Sequence, residues 1–249
     1  MITRLSGIHA VQAALEYSPQ KISQAWVDEQ RMDARLKPLL DELQALGIRP
    51  EKTDRKKLDK MADGKNHQGV VIAVELPAMR SEDQLKHDVE NLDSTPFYLV
   101  LDQVQDPHNL GACLRTADAV GIHGIIITKD NSAVITPTVC KVASGAAETV
   151  PVYQITNLAR VLRWLKEQNI WIMGAAGEAT QTVYEMKLDM PLAIVMGTEG
   201  SGMRHLTRQH CDFLVKIPMV GQVESLNVSV AAGVLLYETF RQKSLAAIK

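Results

Sequence analysis

Leu192-Ala193-Ile194-Val195-Met196-Gly197-Thr198-Glu199-Gly200-Ser201-Gly202 is the stretch whose reading decides the fold. Five apolar residues in a row, with no polar alternation, describe a strand covered on both faces. Such strands belong to parallel sheets with helices on either side. The three glycines that follow end the strand and let backbone approach a ligand closely. The spacing is neither the G-x-G-x-x-G dinucleotide fingerprint nor a P-loop. Glu199 stands out within it, because a carboxylate among glycines points to a polar contact with a ligand or partner.

Working outward, the same pattern recurs from residue 97. Strands are expected at Phe97–Leu101, Gly124–Thr128, Ile170–Ala175, Leu192–Met196 and Phe213–Ile217, with helices between them at Leu110–Val120, Pro137–Ala143, Leu158–Gln168, Met203–His210 and Val228–Phe240. This alternation predicts an α/β domain with a parallel sheet. Residues 1–75 form a smaller α/β unit. Ile8, Val11 and Leu15 repeat at helical spacing, and residues 22–27 read as a strand. Leu36, Leu39, Leu40, Leu43 and Leu46 form a stripe ended by Gly47, and Gly69–Val74 is rich in β-branched residues. Residues 76–95 are acidic, contain Pro77 and end in Asp93-Ser94-Thr95-Pro96. They are expected to be an exposed linker with room for a short helix, which divides the chain into 1–75, 76–95 and 96–249.

Composition narrows the function classes. The chain has 249 residues, 46% of them hydrophobic, and a net charge of −2. No apolar run approaches the roughly 20 residues that span a bilayer. The opening Met1–Ser6 lacks the order of a signal peptide, so no membrane role and a cytoplasmic location are expected. Cys113, Cys140 and Cys211 are far apart, without zinc-ligand spacing, and read as reduced, mostly buried thiols. The overall charge argues against a strongly basic nucleic-acid binder. Arg49, Lys52, Arg55, Lys56, Lys57, Lys60 and Lys65 nevertheless make residues 49–65 locally basic, and a local basic surface attracts phosphates.

Two further segments follow predicted strands, where open α/β sheets place ligands. The first runs from Asp102 through Asp106-Pro107-His108-Asn109-Leu110-Gly111 to Arg115-Thr116-Ala117. Asn109 is suited to cap the helix. Arg115 is suited either to a surface ion pair or to holding a phosphate, and His108 is a secondary candidate for a general base. The second runs from Ile217-Pro218-Met219 through Ser225-Leu226-Asn227-Val228-Ser229 to Ala231-Ala232-Gly233. Ser225 or Asn227 is placed to cap an apolar helix.

Taken in order, Asn109-x-Gly111-x-x-x-Arg115-x-Ala117, Gly197-x-Glu199-Gly200-x-Gly202 and Ile217-Pro218-Met219 through Ser225-Leu226-Asn227-Val228-Ser229 resemble the signature of the SpoU/TrmH class of SPOUT RNA 2′-O-ribose methyltransferases. Ala143-Ser144-Gly145-Ala146-Ala147-Glu148 also looks like a segment of that family. The opening Gly7-Ile8-His9-Ala10-Val11 and the small first unit resemble the class members that methylate guanosine in large-subunit (23S) rRNA, whose N-terminal domain is similar to ribosomal protein L30e. The resemblance implies a deep trefoil knot in the catalytic domain, S-adenosylmethionine as co-substrate, no metal, and a homodimer whose sites are built from both chains. It places Gly197, Ile217, Met219 and Leu226 at the cofactor. It assigns Asn109, Arg115, Glu199, Ser225 and Asn227 to the catalytic site, with Arg115 supplied by the partner chain.

The chemistry so implied is a one-step displacement that needs alignment of oxygen, methyl carbon and sulfur. The hydroxyl must also lose a proton. A free guanidinium has a pKa above 12, so Arg115 either is strongly perturbed and acts as base, or organises the neighbouring phosphate; the sequence leaves both open. Three other readings compete. A nucleotide-dependent oxidoreductase lacks its glycine fingerprint. A non-catalytic RNA-binding protein does not account for the intact polar set. A tRNA guanosine methyltransferase of the same family does not account for the extra first unit.

Overall fold

The computed structural model describes residues 2–31, 35–64, 66–198, 200 and 202–247. The chain divides into two compact units, Met1–Ala78 with Ile135–Lys141, and Met79–Val134 with Val142–Lys249.

The smaller unit contains β1 (Ile2–Ser6), α1 (Ile8–Tyr17), β2 (Ile22–Asp28), α2 (Leu36–Ala45), β3 (Glu51–Thr53), α3 (Arg55–Ala62) and β4 (Val70–Glu75). Its sheet runs β1-β4-β2-β3, with β4 antiparallel to both neighbours and β3 parallel to β2. The β-branched run in β4 is buried from Val70 to Val74, as a central strand requires. Gly7 precedes α1 at φ 94 and has no side chain to cap it; the Ile8 amide instead donates to Gln68 Oε1 at 3.0 Å. Leu36, Leu39 and Leu43 turn inward on α2, and Gly47 ends the stripe at φ +78. On α3 Leu58 and Ala62 are buried, which leaves Arg55, Lys56 and Lys60 facing solvent.

Beyond residue 78 the elements are α4 (Glu82–Glu90), β5 (Phe97–Leu101), α5 (Pro107–Ala119), β6 (Gly124–Thr128), α6 (Pro137–Ala143), α7 (Ala146–Thr149), β7 (Val152–Ile155), α8 (Leu158–Glu167), β8 (Trp171–Ala175), β9 (Gln181–Thr182), β10 (Leu192–Met196), α9 (His205–Gln209), β11 (Phe213–Lys216) and α10 (Val228–Ala247). The seven strands form one sheet in the order β7-β6-β5-β10-β8-β11-β9, with every pair parallel. All residues of β5, β6 and β10 are buried, as their unbroken apolar character demands. Tyr98, Val100, Ile126, Ala193 and Val195 face α8 and α4, in one core with Leu85, Leu158, Val161 and Leu165. Residues alternating with these point to the other face, where α5 and α10 pack. The chain lays down β5, β6 and β7 in one direction, crosses to β8, and returns with β10 beside β5. The loops after β5 and β10 are therefore neighbours at a topological switch point.

The structure departs from the sequence expectation in places. Residues 76–95 do hold a short helix, but its Leu85 and Val89 join the core, and two of its acidic residues, Glu82 and Asp88, are paired within the unit. Asp88 accepts from Arg80 Nη1 at 2.6 Å and Tyr153 Oη at 2.7 Å, and Glu82 binds Arg160 at 2.7 Å. Helix α10 continues seven residues past Phe240 because Gln242 Nε2 and Lys243 Nζ donate to the Met186 and Met190 carbonyls. Strands β7 and β9 were not expected. Of the cysteines, Cys113 is buried, while Cys140 and Cys211 are only partly so.

At the amino-terminal edge of the sheet, His123 Nδ1 accepts from the Phe97 amide at 3.0 Å, and its other nitrogen lies 2.8 Å from Ser94 Oγ. Burial holds its pKa below the usual histidine range, helped by the nearby Lys243 charge. Protonation fills Nδ1 and breaks the bond to Phe97. The stability contributed is present above the ordinary value near 6.5 and is lost as pH falls through the lowered one. Between about pH 7.5 and about pH 5, the urea midpoint is expected to fall further in the wild type than in His123→Gln; parallel curves would remove His123 from this account.

Candidate active site

The three segments singled out by sequence leave the carboxyl ends of β5, β10 and β11. The first helix begins where Pro107 occupies its first position and Asp106 caps it, accepting from the His108 amide at 2.8 Å. Asn109, expected as the cap, lies instead in the first turn of α5 and is buried. Its Oδ1 accepts from Asn227 Nδ2 at 2.9 Å. Asn227 caps α10, as one sequence reading had it: its Oδ1 accepts from the Ser229 amide (2.9 Å), the Ser229 hydroxyl (2.6 Å) and the Val230 amide (3.4 Å). One side chain thus starts α10 with its carbonyl and clasps α5 with its amino group.

Arg115 is exposed on α5. Six residues beyond Asn109, it points about 120° away around the helix. The chain therefore joins Asn109 to Asn227 and turns Arg115 toward another side. Ser225 and Met219 are exposed, Ile217, Leu226 and Gly197 are partly so, and His108 is exposed in the first turn of α5. Glu199 lies outside the described residues. Burial pushes the Cys113 and Cys211 thiols up to about 12, so neither is a nucleophile at neutral pH.

The loop after β10 is closed on itself. Thr198 and Gly202 exchange two backbone hydrogen bonds, each of 3.0 Å. A Cβ on Gly197 would lie 2.0 Å from the Gly202 carbonyl carbon, so glycine there is required by the loop's own return path. Gly200 and Gly202 adopt φ 88 and 67, and an added Cβ at either would meet nothing within 4 Å. That flank of backbone is open to a flat ligand such as an adenosine. Sequence reading missed how the loop is fastened. Asp102, 1% exposed at the end of β5, accepts from Arg204 Nε (2.8 Å), Nη2 (2.7 Å) and the Arg204 amide (3.2 Å). Its only sequence signal is that it is the first polar residue after a wholly apolar strand.

Comparison with known proteins places the chain in a family. Residues 96–237 match the family described as SpoU rRNA methylase, and residues 4–79 match the one described as RNA 2′-O ribose methyltransferase substrate binding. The chain is 53% identical over 240 residues to the 23S rRNA (guanosine-2′-O-)-methyltransferase RlmB of Vibrio parahaemolyticus, covering 96% of this chain and 97% of that one. It is 50% identical over 244 residues to the RlmB of Escherichia coli K12, covering 98% and 100%. Among solved structures it resembles the SpoU methyltransferase AviRb from Streptomyces viridochromogenes in complex with the cofactor AdoMet, with TM-score 0.63 and 22% identity over 98% of this chain and 91% of that one. At that identity the likeness concerns the fold.

The double use of Asn227 can be separated by substitution. Asn227→Ala is expected to destabilise the larger unit by about 1–2 kcal/mol through loss of the cap. Asn227→Asp is expected to cost less, since a carboxylate still accepts from the two helix amides once Asn109 turns its own amide. Urea denaturation of both variants checks the order.

Proposed function

The chain belongs to the SpoU rRNA methylase family, and on that premise we propose that it transfers a methyl group from S-adenosylmethionine to the 2′-hydroxyl of a guanosine in 23S rRNA. The observation that carries the reading is that Asn109 and Asn227, both from the family's motifs, meet 2.9 Å apart. Relatives bearing that activity in their names match this chain over 96–98% of its length. Within this reading residues 1–75 hold RNA, residues 76–95 lead from them, and residues 96–249 form the methyltransferase and carry the family's trefoil knot. The exposed Arg55, Lys56 and Lys60 on α3 suit an RNA phosphate backbone, whose contacts set position and affinity. An rRNA substrate places the reaction in the cytoplasm. Among the described residues no helix is long and apolar enough to cross a membrane.

The open backbone flank at Gly200 and Gly202 fits a flat adenosine, and Gly197, Ile217, Met219 and Leu226 would hold the cofactor there. S-adenosylmethionine brings the transferable methyl group on a sulfonium that is its own leaving group. The protein's part is to align the ribose hydroxyl and to receive its proton. Alignment of this kind is worth several kcal/mol, on the order of 7–11 at its limit. The Asn109–Asn227 pair fixes one wall of the site, and Ser225 and Glu199 complete the polar set.

Arg115 completes the site from a second copy of the chain. Two features support this. Its own helix turns it away from Asn109, and α10 carries large apolar residues on its exposed side as well as its buried one. Val228, Ala232, Leu235 and Leu236 are buried inward, while Val230, Tyr237, Phe240 and Leu245 stand exposed. Clustered exposed apolar side chains mark an interaction face, and an isologous contact with a second copy supplies the cover.

The deciding experiment is transfer of labelled methyl from S-adenosylmethionine to protein-free large-subunit rRNA, small-subunit rRNA and tRNA from cells lacking this protein. Label is expected in large-subunit rRNA alone, at one guanosine. Label only in tRNA would overturn the substrate, and neither label nor cofactor binding would overturn the reaction. Arg115→Ala is expected to keep cofactor binding and lose about 100-fold or more in turnover. Mixing inactive Arg115→Ala with inactive Asn227→Ala should restore about a quarter of wild-type activity, because half the dimers then hold one intact site. No recovery would confine each site to one chain.

A further inference from the structure

We infer that Asp102 and Arg204 are positioning residues that hold the two ends of the glycine-rich segment after β10 in place for the cofactor; the inference rests on the function proposed above. Asp102 grips the loop at both ends. Its backbone amide donates to the carbonyl of Met196, the last residue before the loop, at 2.8 Å. Its carboxylate accepts the Arg204 amide at 3.2 Å through one oxygen, and the Arg204 Nε and Nη2 at 2.8 and 2.7 Å through the other. The partners are 102 residues apart in sequence, in the segments that follow strands β5 and β10, which lie side by side. Between those fastenings the Thr198–Gly202 bridge closes the loop internally. Met203 is seated over Gly174 and packs against the core with Cys211.

The arrangement is costly to keep for stability alone. Burying the Asp102 carboxylate costs free energy that its attraction to a half-exposed guanidinium only partly returns. A backbone segment held before binding spares the ligand the cost of ordering it. Because the clasp is charged and forked, it is both stronger and more directional than a neutral hydrogen bond. The expected consequence of loosening it is a loss of cofactor affinity with the transfer step intact.

Methyl-transfer kinetics on 23S rRNA, with calorimetric binding of S-adenosylhomocysteine, test this in wild type, Arg204→Gln and Arg204→Lys. Arg204→Gln is expected to raise the KM for S-adenosylmethionine and the Kd for S-adenosylhomocysteine about tenfold or more. The kcat at saturating cofactor and the KM for RNA should stay within about twofold, a split that general loss of structure would not produce. Arg204→Lys keeps the charge and loses the fork, so its KM should fall between the two. A folded Arg204→Gln with wild-type cofactor constants overturns the inference. If Arg204→Gln does not fold, Arg204→Lys carries the test, and unchanged constants there overturn it equally. Wild-type protein that binds no S-adenosylhomocysteine overturns the functional reading, and this inference with it.

Discussion

The larger unit depends on the burial of β10. It is paired on both edges, with β5 and β8, and covered on both faces, so all five of its residues are inaccessible to water. Such a strand has its backbone groups satisfied by its neighbours and its side chains by the helices, and leaves nothing polar along its length. Chemistry can begin only where the strand stops. At that point the chain changes from Met196 to Gly197 within one residue, and Asp102, at the end of the adjacent strand, receives the returning loop. The site stands at the switch point because burial leaves it nowhere else.

Much of this was legible from residues alone. Strands β5 and β10 fall where five-residue apolar runs place them, and β6 where Ile125-Ile126-Ile127 does, since a strand buried on both faces leaves little room for polar residues. What escaped was decided by partners distant in sequence. Strand β7 is short and mixes Tyr153 and Gln154 with its apolar residues, so its pattern carries little signal. Residues 82–90 look like linker because they are acidic; Glu82 is met by Arg160 and Asp88 by Tyr153, which no local window contains.

How the candidate site residues join one another was less legible. Motif spacing selects Asn109 and Asn227, yet it offers both as helix caps. In the structure Asp106 and Asn227 take those positions, and Asn109 is left to accept the second helix's amide. Arg115 was flagged by type, and only helix geometry shows that it turns away from Asn109. The Asp102–Arg204 clasp had no sequence signal strong enough to pair its halves, because a lone aspartate at a strand end and an arginine in a loop are common singly.

The outer edge of β7 has its own consequence. Arg80 runs alongside that strand, donating its amide to Val152 and accepting from Gln154, while its guanidinium is held by Asp88. A parallel sheet with an open edge offers unpaired amides to any passing strand, including one from another copy. The single-residue strip at Arg80 occupies that edge, and at the far side β9 is only two residues long. Growth of the sheet from molecule to molecule is thereby stopped at both margins. A protein that must handle long RNA thereby avoids polymerising on the strands of that sheet.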